Sequence, residues 1–221
     1  MNNMKVGVAI PCYAGHLDKL HKLLDSINNQ TRLPDKVVVS CSSTIDQAVF
    51  PSYKFPFEIV YDEEKKNTAQ NRNIAAHRLL DNDFISFIDA DDIMHPQRIE
   101  FIERAFEGGA DIVLHNFENY EDGADIKPMS LFDTCNIYYN TMHRSGGMIT
   151  HKKTYIGDIH HAQVSVKTDI YCYIEFNESE EFVIKADCVF CWYVFSLENI
   201  TDAYISNKLS AYIPSGTCHT F

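Results

Sequence analysis

The amino-acid sequence predicts an α/β protein built on a mostly parallel, twisted sheet with helices on both faces. Two observations carry that expectation. Over roughly the first 115 residues, apolar runs and amphipathic stretches follow one another in the order β-α-β-β-α-β-α-β. The runs themselves, such as Val37-Val38-Val39 and Phe84-Ile85-Ser86-Phe87-Ile88, are short and mostly apolar, as strands inside a sheet are.

Taken in order, Lys5 to Ile10 is the first strand, and it ends in the turn Pro11-Cys12-Tyr13-Ala14-Gly15. Leu17, Leu20, Leu24 and Ile27 recur at helical spacing, which predicts an amphipathic helix from His16 to Asn28. Val37-Val39 is a second strand that runs into Ser40-Cys41-Ser42-Ser43-Thr44, and Phe57 to Tyr61 is a third. Thr68 is suited to cap a helix reaching about Leu80. Phe84 to Ile88 is the fourth strand. Pro96 to Phe106 reads as a helix with proline in its first turn and Gly108-Gly109 as its stop. Asp111 to Phe117 is a further strand. Residues 118–160 lack a long period and read as loops and short strands. Gln163 to Lys167 alternates like a strand, Asp169 to Phe176 is a strand or short helix, Ala186 to Leu197 a helix, and Tyr204 to Ile213 a last strand. Neither a repeat nor a low-complexity linker divides the chain, so one compact unit is expected.

Composition excludes several classes. The formal charge of -12 disfavours a nucleic-acid partner, because a phosphate backbone needs clustered Lys and Arg. No run approaches the roughly 18 apolar residues of a transmembrane segment, and the start MNNMKVGVAIPCY has no signal-peptide pattern. Seven widely spaced cysteines predict reduced thiols and a cytoplasmic setting. Cys188-x-x-Cys191 has a metal-like spacing, but it sits in an apolar run without a second such pair and reads as buried helix cysteines.

The chemistry concentrates at Phe84 to Asp92. A buried strand delivers Asp89, Asp91 and Asp92 to its C-terminal end, where open α/β sheets place ligands. Three carboxylates so close repel one another unless something positive binds, and a hard divalent cation shared with phosphate oxygens suits them. A solvated acidic turn capping the next helix is the plainer alternative. The turns Pro11-Tyr13, Ser40-Ser43 and Asp89-Asp92 all fall at the same sheet edge and would meet in one crevice.

The order Pro11-x-Tyr13, then N-T-A-Q-N-R-N from Asn67, then F-I-S-F-I-D-A-D-D from Phe84, then a carboxylate ahead of a late apolar helix resembles the GT-A fold glycosyltransferases, most closely glycosyltransferase family 2. The resemblance spans nearly the whole chain and is densest from Asn67 to Arg98. It implies one GT-A domain over residues 1–221, with a nucleotide-sugar-binding half to residue 117 and an acceptor-binding half after it. It implies a nucleoside-diphosphate sugar donor, a UDP-sugar in particular, with Mn or Mg, and inverting transfer to a glycan or other hydroxyl acceptor.

Carried over residue by residue, the resemblance places Asp91 as direct metal ligand. Asp89 lies near the ribose or shares the metal, Ala90 belongs to the same donor-binding turn, and Asp92 is a helix cap or supporting group. Tyr13 would pack on the base, with Pro11 and Cys12 giving backbone contacts; packing at the sheet edge is the alternative. Arg72 would stand near the nucleotide and the acidic turn, or else pair on the surface. His219 would return to the metal or diphosphate, with His161 a lesser candidate for the same place, and His160-His161 precede the strand where the family often has acceptor or donor-sugar contacts. Asp187 would be the general base, with a helix N-cap as its alternative and Glu180 and Glu181 as competitors. One departure stands out. Ser40 and Cys41 occupy the end of the second strand, where the family usually carries two aspartates, so a Ser40 hydroxyl would take over contact with a base. A sugar nucleotidyltransferase would need a Gly-rich basic loop after the first strand, and PCYAGHLDK lacks one. A non-catalytic binding module of the same fold is opposed by the intact acidic motif and Arg72.

Overall fold

A computed structural model describes residues 4–45, 48–121, 123–145, 148–151 and 159–213. The elements in chain order are β1 (Val6–Tyr13), α1 (Leu17–Asn28), β2 (Lys36–Ser42), β3 (Phe57–Tyr61), α2 (Thr68–Ala76), β4 (Phe84–Phe87), β5 (Ile93–Met94), α3 (Arg98–Glu107) and β6 (Ile112–Asn119). After them come β7 (Ile137–Tyr139), β8 (Met142–Ser145), β9 (Met148–His151), β10 (Ser165–Lys167), α4 (Thr168–Tyr173), α5 (Ala186–Val194) and β11 (Asp202–Tyr212).

The main sheet runs β3-β2-β1-β4-β10-β6-β11-β5, with β7 also paired to β11. Strands β3, β2, β1 and β4 are mutually parallel, as the alternation of strands and helices requires. β6 and β11 are parallel to each other. Between the two blocks lies β10, antiparallel to both β4 and β6. Its three residues come from the second half of the chain and join the sheet's two parts. β8 and β9 form a separate hairpin.

Alternation along β1 distributes the core. Val6, Val8 and Ile10 pack with Leu20, Leu23, Leu24 and Ile27 of α1 and with Ile99, Phe101 and Ile102 of α3. Ala9 packs the other way, with Ala69, Ala75, Phe87, Tyr171 and Phe190 beneath α2, α4 and α5. Helices therefore cover both faces, and the solidly apolar strands are buried on both sides.

Several boundaries differ from the sequence expectation, each for a local reason. β1 continues through Pro11 and Cys12 to Tyr13 because β2 runs alongside it, Pro11 opposite Ser40. Pairing with β4 has already ended at Ala9-Phe87, so the proline lies where β1 has a ladder on one side only. Asn67 rather than Thr68 caps α2, in a reciprocal box with Gln70. That helix stops at Ala76, and Leu80 is exposed. Pro96 is outside α3, in the preceding turn, where its carbonyl accepts from the Thr31 N–H. Gly109 follows that helix at φ +96°, a left-handed conformation that closes it as expected. The ambiguous stretch from Asp169 resolves as a helix.

Candidate active site

Three elements end at one edge of the sheet: β1 at Tyr13, β2 at Ser42 and β4 at Phe87. The Tyr13 ring leans on His16, centroids 4.3 Å apart. A Cβ at Gly15 would come within 2.5 Å of that ring, so the glycine lets the aromatic lie across its own turn. His16 Nε2 is 3.8 Å from Asp91 Oδ2, which connects this turn to the acidic one.

The buried face of α2 mixes three alanines with the polar Asn71, Arg72 and Asn73, which is unusual for a helix against a sheet. Asn71 accepts from the Ser40 hydroxyl at 2.9 Å and donates to Cys12 O and Ser42 Oγ, tying β1 to β2. Asn73 holds the segment after α4, accepting from Tyr171 Oη and Phe176 N and donating to Phe176 O and Glu178 Oε1. Arg72 lies between them, 3% exposed, its guanidinium 5.2 Å above the Phe176 ring. Its Nη2 donates to Asp89 Oδ1 at 2.8 Å, while its buried Nε has no partner. The paired charges of Asp89 and Asp187 hold the guanidinium protonated against the cost of burial.

The acidic turn closes with Asp92 N donating to Asp89 O at 3.1 Å. Its three carboxylates have separate environments. Asp89 faces Arg72, and Asp91 is near His16 at 8% exposure. Asp92 is buried, accepting from Gln163 Nε2 at 2.6 Å and Ile213 N at 3.1 Å. Burial and then the neighbouring Asp89 and Asp91 push its carboxyl well above the usual range. Asp92 thus anchors β10 and the end of β11 to the turn and does not cap α3, whose N-cap is Gln97.

Below the turn is a network that sequence reasoning missed. Arg98, wholly buried, donates to His115 Nε2, Ser86 Oγ, Phe87 O and Gln163 O. Ser86 in turn shares a 2.8 Å hydrogen bond with Ser165 across β4 and β10. Burial pushes the Arg98 guanidinium down to about 9, with Asp92 opposing that shift. Serine in the middle of an apolar strand was the available signal.

Asp187 approaches from the far side, in the first turn of α5. Lys185 is the N-cap and makes no side-chain cap bond; Asp187 Oδ1 accepts from Cys188 N at 2.8 Å. Its charge favours the protonated forms of Arg72, His160 and His161. Glu180 and Glu181 are exposed on a short 3-10 helix. His161 Nε2 accepts from Ile149 N at 3.3 Å, an internal contact. Cys191 is buried and Cys188 half-buried, as helix cysteines.

Two of the expected donor-contact residues have enclosed side chains. Ala90 is fully enclosed in the apolar core, and Ser40 is 1% exposed with its hydroxyl engaged by Asn71. Strand parity explains Ser40: it points toward α2, while Cys41, its neighbour, points to the α1 face beside Cys12. Pro11 and Cys12 are buried too, and the Cys12 carbonyl is taken by Asn71. His219 lies outside the described residues.

Asp89 and Asp91 fit a hard cation by donor chemistry, oxygen only, at a turn where carboxylates outnumber the one arginine. Among the described residues no trio of His, Cys, Asp and Glu is placed to enclose a metal by itself. Such a site suits an ion that completes its shell with phosphate oxygens and water.

Comparison with known proteins agrees with this architecture. Among solved structures, Staphylococcus aureus TarS 1-349 in complex with UDP superposes with a TM-score of 0.65 at 18% identity, over 96% of this chain and 61% of that one. The same fragment in complex with UDP-GlcNAc gives 0.67 at 18% identity, over 96% and 59%. The likeness shows a shared GT-A fold. An uncharacterized glycosyltransferase of Haemophilus influenzae is 26% identical over 108 residues, which span 48% of this chain and 36% of that protein. The chain thus matches about a third of its curated relative's length and about three fifths of the TarS fragment. The model of glycosyl transferase family 2 matches residues 7–166, from the first strand through the acidic turn and into β10, and the chain belongs to that family.

Proposed function

We propose that this chain transfers a sugar, with inversion, from a nucleoside-diphosphate sugar to an acceptor hydroxyl of a glycan or similar molecule. The observation that carries the reading is the Arg72-Asp89 ion pair, 2.8 Å long, at the end of β4, on whose guanidinium the charge of Asp187 also acts. In this reading the donor machinery and the candidate base work together although about 100 residues separate them in sequence.

In this reading Asp89 and Asp91 hold Mn or Mg, which supplies charge stabilisation to the departing diphosphate. Arg72, paired with Asp89 and stacked on Phe176, keeps that carboxylate oriented and adds positive charge at the same place. Tyr13 lies at the nucleotide end, offering a ring face to the base. Asp187 takes the proton from the attacking acceptor oxygen on the side opposite the leaving diphosphate. UDP is the first donor nucleotide to test, since TarS, a structural relative, has been solved with UDP and with UDP-GlcNAc. Donor hydrolysis measured across a panel of nucleotide sugars, with and without Mn, tests the proposal. Metal-stimulated release of one diphosphate is expected; binding without turnover for every donor would mark a non-catalytic module instead.

A further inference from the structure

Two cysteines that the proposed transfer does not use lie side by side. Cys12 on β1 and Cys41 on β2 are direct partners in the parallel ladder, one rung before its end at Tyr13 and Ser42. Both are free thiols, both are buried, and both face the α1 side of the sheet. In-register neighbours on adjacent strands stand about 4.8 Å apart with side chains on the same face. A disulfide needs its Cα atoms roughly 4.4 to 6.8 Å apart, so this rung meets the requirement without refolding. Its Cβ atoms must close to about 3.8 Å, nearer than parallel strands hold them, so the bond forms under strain and stays easy to reduce.

Chemistry and position both favour oxidation of this pair. The neighbouring Cys12 thiol lowers Cys41 below its ordinary value and so favours the thiolate, the reactive form. Cys12 is pushed up by the same neighbour and by burial, and keeps its proton. The pair lies at the end of two strands, where opening is local and gives a small oxidant entry. Hydrogen peroxide supplies the balance. The Cys41 thiolate attacks one peroxide oxygen, the O–O bond breaks, and Cys41 becomes a sulfenic acid as the released hydroxide takes up a proton. The Cys12 sulfur then attacks the Cys41 sulfur, the S–O bond breaks, and hydroxide leaves with the Cys12 proton as water. Two thiols and one peroxide give one disulfide and two waters, the sulfurs being oxidised and the peroxide reduced.

The same rung is tied to the turn beyond it. The Cys12 thiol donates to Tyr13 O at 3.5 Å, and Asn71 Nδ2 holds the Cys12 carbonyl at 3.1 Å. A disulfide has no proton to donate, so oxidation removes the first contact and pulls against the second.

We propose that Cys12 and Cys41 form a peroxide-sensitive disulfide site whose closure displaces the Tyr13 turn and thereby weakens nucleoside-diphosphate binding. The effect on binding rests on the donor reading above; the disulfide itself does not.

Peptide mass spectrometry and titration calorimetry test the two parts. Wild-type protein is treated with hydrogen peroxide and titrated with UDP and GDP, before and after reduction by dithiothreitol. Trypsin leaves the two cysteines on separate peptides, residues 6–19 and 37–54, so a linked pair reports the bond directly. That linked pair is expected, with diphosphate binding about tenfold weaker, and reduction should abolish the pair and restore the affinity. Cys41→Ser should give no linked pair and the same affinity before and after peroxide, whatever that affinity is. Cys41→Ala replaces it if circular dichroism shows the serine variant unfolded. Absence of the linked pair in peroxide-treated wild-type protein overturns the proposal. A linked pair with unchanged affinity overturns the coupling to Tyr13, and an equal fall in the Cys41 variant, which would trace to another thiol, does the same. Reduced protein that binds neither diphosphate overturns the donor reading, and the linked peptides then still decide the disulfide.

Discussion

Asp91 and Asp187 are the two side chains on which the proposed chemistry turns, and each permits a clean substitution. Asp91→Asn keeps size and hydrogen-bonding capacity near His16 but removes the charge a cation needs. Metal-stimulated turnover should vanish while the circular dichroism spectrum stays as in the wild type; full activity in excess chelator would refute the cation's role. Asp187→Asn should lower turnover about 10²- to 10⁴-fold at near-normal donor affinity. A fall in melting temperature with unchanged turnover per folded molecule would instead assign Asp187 a structural place in α5, and retention of anomeric configuration would defeat inversion altogether. The acidic turn stands out in the sequence because its meaning is electrostatic: like charges gathered at the end of a buried strand advertise a partner, whereas Asp187 is singled out only by the resemblance. The enclosure of Ser40 and Ala90 was not legible. Which way a side chain faces depends on strand parity and on what packs opposite, and neither is written in the residue's own chemistry.

At the scale of elements, α2 is the one to test because three polar residues, Asn71, Arg72 and Asn73, are buried on it. Asn67 and Gln70 close its N-terminus in a capping box, and Asn67 Nδ2 also reaches Glu178 O. Asn67→Ala should cost about 1 kcal/mol, seen as a lower denaturant midpoint at constant slope; a midpoint unmoved would mean that the cap is dispensable. The strands of the first half could be read from apolar runs, and so could α1 and α3 from their stripes. The antiparallel β10 could not, since three residues carry no periodicity and its place is decided by β4 and β6 on either side. The network of Ser86, Arg98, His115, Gln163 and Ser165 is equally a product of tertiary contact. Single polar residues scattered over 80 positions become one buried cluster only when the sheet assembles.

For the whole molecule, buried histidines set the response to acid. Burial depresses His95, His115, His160 and His161, with Arg98 adding to the effect at His115. A group whose folded value lies below its unfolded one stabilises the fold above the unfolded value and loses that contribution as pH falls through the folded one. For His160 the window runs from 6.5 down to about 4, corresponding to about 3 kcal/mol. Asp92, shifted upward, acts in the opposite sense, since its contribution is lost as pH rises, and offsets part of the decline. The thermal midpoint should therefore drop steeply between pH 6.5 and 4, and less steeply in His160→Asn. Calorimetric scans at half-unit steps check this; coincident profiles for the two proteins would count against a buried neutral imidazole at residue 160.

The placement of β10 has a consequence during synthesis. A ribosome releases β4 and β6 long before β10, and β11 later still. Between the emergence of residue 119 and that of residue 167, some 50 residues must be made, which takes roughly 2 to 10 s at ordinary elongation rates. For that interval the apolar strands FISF and IVLH have open edges facing a gap that only a later part of the same chain fills. The nascent chain is thus exposed to edge-to-edge association, and a chaperone that shields strand edges should raise the yield of native protein more than one that acts after release.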